Sequence, residues 1–253
     1  MGRKLANQKP QMRLLQNNDY YEEETHPTKR QKYIQAVKKD AIWIKSNFTP
    51  KSAGQEYYVS LLNECDITFC AGPAGTGKTW IATRFALEQL LSKRVSKIIV
   101  TKPILEAAGD KLGFIPGDIY EKVLPHFMSV LDCIEDHVGP TMAKKLLDAQ
   151  QIQFLPAAYA RGRNLKDAFI LVDEAQNLTK SGIKLMLTRL AEGSSMVLNG
   201  DPQQIDLPRV EDSGFAWAIS GLRGKDSDIG IAEMSNNDIQ RHKLIGVILN
   251  NLH

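Results

Sequence analysis

The sequence predicts an α/β domain: a mostly parallel sheet flanked by helices, with a short helical extension at the N-terminus. Three observations carry this reading. From residue 65 onward, short apolar runs alternate with longer stretches of helical periodicity, the signature of repeated βαβ units. The apolar runs are continuous rather than alternating, as strands buried on both faces require. The 253 residues are 43% hydrophobic and 24% charged, enough apolar content for one enzyme-sized core and too much for a disordered or collagen-like chain.

The elements follow in order. Residues 1–47 form a basic extension ahead of a domain over 48–253. Up to about Thr28 there is little apolar content and an acidic triplet, Glu22-Glu23-Glu24, so this part reads as flexible. Ile34, Val37, Ala41 and Ile44 then recur at helical spacing, an amphipathic helix that Pro50 closes. Ile67-Thr68-Phe69-Cys70 is the first strand, followed by a glycine-rich turn and a helix over Lys78 to Leu91. Lys97 to Thr101 is the next strand. The Gly- and Pro-rich segment from Gly109 to Gly117 is loop, with helices around 120–134 and 142–149. Ile152 to Leu155, Phe169 to Val172 and Met196 to Asn199 are further strands, and helical periodicity returns over 182–190 and 239–249.

Several classes are disfavoured. The longest apolar runs are of the Phe169-Ile170-Leu171-Val172 kind, far short of the roughly 18 residues that span a bilayer. The first thirty residues hold no apolar h-region, so no secretory signal is expected. Cys65, Cys70 and Cys133 are odd in number and form no C-x-x-C pair. That argues against a disulfide framework or zinc site and for a reducing, cytoplasmic setting. The net charge of +3 is uneven: residues 1–51 hold eleven Lys and Arg against five Asp and Glu, and the remainder is net acidic. A basic arm of this kind either neutralises nucleic-acid phosphates or serves as a solubilising tail.

Gly72-Pro73-Ala74-Gly75-Thr76-Gly77-Lys78-Thr79 fits G-x-x-x-x-G-K-[ST], and it sits between a strand and a helix as that motif must. The glycines let backbone N–H groups curl around a triphosphate, and the helix N-terminus adds a positive dipole. Lys78 would contact the β- and γ-phosphates of ATP, and the Thr79 hydroxyl would bind Mg²⁺. Such a loop needs a carboxylate at a neighbouring strand end. Asp173 and Glu174 follow Phe169 to Val172, Asp173 suited to the Mg²⁺ shell and Glu174 to polarising the attacking water. A third strand end, Asn199-Gly200-Asp201-Pro202-Gln203-Gln204, offers Gln204 as the amide that senses the γ-phosphate; Gly-Asp-Pro alone is a turn.

These three stretches resemble the helicase-type branch of P-loop NTPases. The likeness becomes specific to the PhoH-like family through Lys102-Pro103, Glu106-Ala107-Ala108-Gly109, Leu112 to Asp118, Arg161-Gly162-Arg163-Asn164-Leu165, Asp173 to Thr179, Leu187 to Leu190 and Arg241-His242, from about Phe48 to the end. The resemblance implies a single RecA-like domain, ATP hydrolysis with Mg²⁺, and phosphate-starvation-inducible relatives among bacteria and their phages. Lys102 stands where the family usually has Arg, and Asp110 where Glu is usual. Some relatives carry a fused PIN ribonuclease domain; about fifty residues precede the core here, too few for one, so nuclease activity is not expected.

The resemblance also implies roles for other polar residues. Gln55 would read the adenine edge, as in helicase Q motifs, or is simply a surface residue at a helix start. Arg163 and Arg161 would grip phosphate of nucleotide or RNA, or pair with local carboxylates. Arg241 is the candidate arginine finger, with Arg161 and Arg163 as rivals. One such domain lacks the second lobe of a full helicase, so a homo-oligomer, hexameric ring included, would complete the site in trans. Single-stranded RNA or another nucleic acid is the expected partner, and the alternative is a slow nucleotide-binding switch acting through a protein.

Overall fold

The computed structural model describes Ile44, residues 48–104 and residues 123–240. The expected helix over 29–47, apart from Ile44, the loop over 109–117 and nearly all of the helix over 239–249 lie outside these residues. Among them, six strands form one parallel sheet: β1 Ile67–Ala71, β2 Lys97–Lys102, β3 Ile152–Pro156, β4 Ala168–Val172, β5 Ser195–Gly200 and β6 Ile229–Glu233, in the order β3-β2-β4-β5-β1-β6. This is the α/β architecture that the apolar runs predict. β4 shows why those runs are continuous, since all five of its residues are buried. Phe169 and Leu171 enter one core and Ala168, Ile170 and Val172 the other.

Helices cover both faces. On one side lie α1 Ala53–Glu64, α2 Lys78–Leu91, α3 Met128–Val138 and α4 Pro140–Asp148, whose apolar faces share a core around Tyr58, Phe85, Ile134 and Leu146. On the other lie α5 Lys180–Leu187 and α6 Phe215–Leu222, packed on Ile170, Leu198 and Phe69. α2 therefore lies over the face that Phe169 and Leu171 enter, and Asp173 is the next residue of that parity.

Three elements are absent from the sequence reading: α1, α6 and β6. β6 hides its pattern because its buried positions are Gly230 and Ala232. A Cβ on Gly230 would stand 3.0 Å from Leu61 Cδ2 and Cys65 Sγ, so α1 packs directly on backbone and leaves no apolar alternation to see. The helix expected over 120–134 becomes a 3₁₀ turn, Leu124–Phe127, leading into α3, because Pro125 sits in its first turn. The helix expected over 182–190 starts earlier, where Thr179 caps it by accepting from the Gly182 N–H. Ile239 is extended, at φ −67° and ψ 123°, so the expected helix does not begin there.

The join between α5 and α6 is tight enough to test. A Cβ on Gly214 would lie 2.7 Å from Lys180 Cα, Lys180 N and Thr179 O, all backbone atoms. Gly214→Ala should cost about 1–3 kcal/mol by overpacking, read as a lower urea midpoint with an unchanged slope.

Candidate active site

β1 ends at Ala71 and α2 begins at Lys78, leaving six residues to reverse direction at the carboxyl edge of the sheet. Gly75 and Gly77 make that turn at φ 89° and 85°, the left-handed region that a side chain disfavours. Gly77 caps α2 with no side-chain hydrogen bond, so the first N–H groups of the helix face the cleft without a competing polar side chain. The result is a concave set of backbone donors backed by a helix dipole.

Lys78 folds over this loop. Its Nζ donates to the carbonyls of Gly72 at 2.6 Å and Pro73 at 2.9 Å. Burial pulls its pKa down, against the nearby acids of Asp201, Asp173 and Glu174. Thr79 donates its hydroxyl to Asp173 Oδ1 at 2.7 Å, which ties the first turn of α2 to the end of β4. Burial pushes the Asp173 pKa up, the Glu174 charge adds to this, and the Thr79 hydrogen bond with the two lysines opposes it. Two hard oxygens in contact, one of them a buried carboxylate, suit Mg²⁺, which takes one or two protein carboxylates and completes its shell with phosphate and water.

Glu174 sits at φ 53° and ψ 40°, a left-handed conformation unusual for a residue with a side chain. Gln176 Nε2 donates to its Oε2 at 2.7 Å, and Lys102 Nζ stands 3.9 Å from its Oε1. Its carboxylate borders both the cleft and an adjoining hollow. Gln176 is the hub here: Nε2 also donates to Gln204 O at 2.9 Å, and Oε1 accepts from Asp201 N at 3.1 Å. Asp201 in turn accepts from the Ala74 N–H of the phosphate loop through Oδ2, at 3.2 Å. The cleft of about 290 Å³ enclosed by these residues is also lined by Gln204, Asn199, Ser129 and Cys133. Burial lifts the Cys133 thiol to about 12, so it stays neutral.

Sequence expectation and geometry thus meet at Lys78, Thr79, Asp173, Glu174 and Gln204, all on one cleft. Gln55 is not a surface residue. It is buried, its Nε2 donates to the Thr76 carbonyl at 3.0 Å, and its Oε1 accepts from Lys51 N at 2.8 Å. Arg163 needs correcting as a ligand of its own subunit's nucleotide. With Arg161 it lies beyond β3, at the sheet edge remote from β1, and lines a different cavity. Arg241 lies outside the described residues; its neighbour Gln240 donates its N–H to Gly75 O at 2.9 Å.

Sequence reasoning missed Asp201, Gln176, Asn199 and Lys102 as parts of the site. Asp201 had a signal: β5 pairs with β1, with Ala71 opposite Gly200, so the next residue must face the phosphate loop. Asn199 had none, because its role depends on Tyr58, whose hydroxyl donates to Asn199 Oδ1 at 2.7 Å from a helix the sequence did not reveal.

Comparisons with known proteins give the family. Residues 47–253 match the family model described as PhoH-like protein. Similar relatives include the PhoH-like protein of Mycobacterium tuberculosis (strain H37Rv), 44% identical over 200 residues covering 79% of this chain and 56% of the relative. The PhoH-like protein of Bacillus subtilis (strain 168) is 43% identical over 199 residues, 79% of this chain and 62% of the relative. Protein PhoH of Escherichia coli (strain K12) is 38% identical over 196 residues, 77% and 55% respectively. The chain therefore matches between 55% and 62% of the length of these three relatives. Similar solved structures include a Sulfolobus solfataricus SWI2/SNF2 ATPase core in complex with dsDNA, at TM-score 0.41 and 16% identity over 68% of this chain and 35% of that one. Pif1 helicase from Candida albicans matches at TM-score 0.38 and 19% identity over 80% of this chain and 44% of that one. The chain belongs to the PhoH-like family.

Asp173 gives this site a measurable cost to the fold. Asp173→Asn keeps an acceptor for Thr79 but removes a charge that burial disfavours. In EDTA its Tm should equal or exceed that of the unsubstituted protein, as expected where stability is given up for function. A fall of several degrees in a thermal melt would contradict that account.

Proposed function

We propose that this PhoH-like protein is a Mg²⁺-dependent ATPase whose hydrolysis is coupled to binding or remodelling single-stranded RNA. The observation that carries the ATPase reading is the 2.7 Å contact between Thr79 and Asp173, with Glu174 next in sequence. It joins a phosphate-binding loop to a strand-end carboxylate pair in one cleft. ATP entering displaces Lys78 from the Gly72 and Pro73 carbonyls, and the ammonium moves to the β- and γ-phosphates. The Ala74 N–H passes from Asp201 to a phosphate oxygen. Thr79 and Asp173 would hold Mg²⁺, which would supply charge neutralisation on the phosphates. Glu174, aimed by Gln176 and Lys102, orients water for in-line attack, and Gln204 at the cleft mouth meets the γ-phosphate.

The RNA reading draws on the cavity beyond β3. It measures about 590 Å³ and is lined by Tyr159, Arg161, Arg163, Gln150 and Gln153, with no carboxylate among the described residues that line it. Tyr159 is 46% exposed, and neither arginine side chain meets a partner among the described residues. Free guanidinium groups beside an exposed ring suit phosphates and an unstacked base. The basic extension would add sequence-independent affinity. We further propose that a homo-oligomer completes the site, with Arg241 as the finger. The cysteine pattern supports a cytoplasmic setting; among the described residues no helix is long and apolar enough to cross a membrane. The rival reading, a slow switch, draws on the path from Gln176 and Asn177 to the exposed 203–206 loop, where Asn177 Nδ2 donates to Asp206 Oδ2 at 3.0 Å.

Two measurements test this. Glu174→Gln should bind ATP as the unsubstituted protein does and lose turnover by about 100-fold or more, as removal of a general base does. Wild-type turnover in that variant would remove Glu174 from the chemistry. Arg161→Ala with Arg163→Ala should weaken RNA binding and lower the log–log salt slope by about 0.7 for each phosphate that is no longer neutralised. An unchanged slope would move RNA away from this cavity.

A further inference from the structure

The cleft is braced from behind by residues that never face it. The Gly75 carbonyl accepts from Gln240 N at 2.9 Å, and the Thr76 carbonyl accepts from Gln55 Nε2 at 3.0 Å. There are no cis peptides among the described residues, so each C=O points opposite to the N–H of the same peptide unit. Holding the Gly75 carbonyl outward turns the Thr76 N–H the other way, and holding the Thr76 carbonyl does the same for Gly77. Neither N–H has an acceptor among the described residues, which leaves both donors for an anion.

The two braces arrive from opposite parts of the chain, the start of α1 and the segment after β6. One carboxylate joins them. Asp238, only 7% exposed, accepts from Ser235 N at 2.7 Å and Ser235 Oγ at 3.1 Å through Oδ2. Its carboxylate also packs against Gly54 at the start of α1, and the neighbouring Ser52 and Gly54 groups help Ser235 hold its pKa down against burial. Gly54 is required there, since a Cβ would fall 2.6 Å from Asp238 Oδ1. Gly54 adjoins Gln55, and Asp238 lies two residues before Gln240. A carboxylate at the N-terminus of α1 is also favoured by the helix dipole.

We propose that Asp238 is a positioning residue for polyphosphate binding, acting from outside the cleft by holding Gln55 and Gln240 against the phosphate loop. This rests on the reading of the cleft as a nucleoside triphosphate site and extends it to a residue that touches no ligand. Because the brace acts on backbone donors, it is blind to the base. It serves ATP, GTP and a bare polyphosphate equally.

The test is calorimetric titration of the full chain with Mg²⁺ and inorganic tripolyphosphate, ATP or GTP. It is run well below the Tm of each variant. Asp238→Ala should weaken all three by a similar factor, on the order of tenfold, the size expected for removing one charge-assisted hydrogen bond. Asp238→Asn, which keeps an acceptor, should fall between. Gln240→Pro supplies a second route if Asp238→Ala fails to fold. It deletes the N–H that holds Gly75, and Ile239 already has the extended backbone that precedes proline. It should weaken tripolyphosphate in the same way. Unchanged tripolyphosphate affinity in Asp238→Ala, or a loss confined to ATP, would overturn the proposal while leaving the cleft's assignment standing. Failure of the unsubstituted protein to bind any of the three would overturn both.

Discussion

A sheet in which every strand runs the same way puts all its carboxyl ends on one edge, and the chemistry of this protein depends on that constraint. Gly72, Asp173 and Asp201 are separated by about a hundred residues or by a whole βαβ unit, yet each begins immediately past a strand. β5 lies between β4 and β1, with Val172 opposite Leu198 and Ala71 opposite Gly200. The three strand ends are therefore consecutive neighbours across the sheet. No single side-chain contact could assemble them; backbone pairing does, and the side chains then select among the resulting distances. The Thr79–Asp173 hydrogen bond is the first consequence, because it can form only when α2 packs on the face that Asp173 shares.

That arrangement concentrates charge where water is scarce. Asp173 and Glu174 are adjacent, Asp201 faces the loop, and Lys78 and Lys102 stand among them. A buried ion is unfavourable unless paired and hydrogen-bonded. Here Lys78 rests on two carbonyls, and Asp201 accepts from the Ala74 N–H and, through Oδ1, from the Gln203 N–H. On the proposed function, ligand entry would exchange the Lys78 and Asp201 contacts for new ones, while the Thr76 and Gly77 N–H groups would gain acceptors that they lack among the described residues. Affinity would then reflect the difference between the two sets rather than the sum of the new one.

How much of this was legible in the sequence follows from which interactions are local. The phosphate loop declares itself because its glycines answer a backbone demand within six residues. The Asp173-Glu174 pair declares itself because a continuous apolar run ends there. The braces do not, since Gln55 depends on α1, and α1 packs against a strand whose buried side is Gly230 and Ala232. Where backbone meets backbone, the apolar pattern that marks an element disappears. Arg163 erred in the opposite direction: Arg-Gly-Arg read by composition alone suggests phosphate, but its strand, β3, is an edge of the sheet four positions from β1. Residue type named the chemistry, and only strand order could assign its place.

Strain and bracing divide the labour within the site. Glu174 adopts a left-handed conformation that its neighbours must hold, and the holder is Gln176, a buried amide that spends its donor on Glu174 Oε2 and Gln204 O and its acceptor on Asp201 N. One side chain thus links the Glu174 carboxylate to both ends of the 201–204 turn. On the proposed function, Asp201 yields the Ala74 N–H to phosphate, so that turn would lose a restraint and the shift would reach Glu174 through the same amide. Asn177, next in sequence, is joined to Asp206 on the exposed loop by two hydrogen bonds, at 3.0 and 2.7 Å. On that proposal, a phosphate loop braced from behind by Gln55 and Gln240 would hold the binding groups still, so that the displacement caused by the γ-phosphate would appear on the Glu174 and Asp206 side of the cleft.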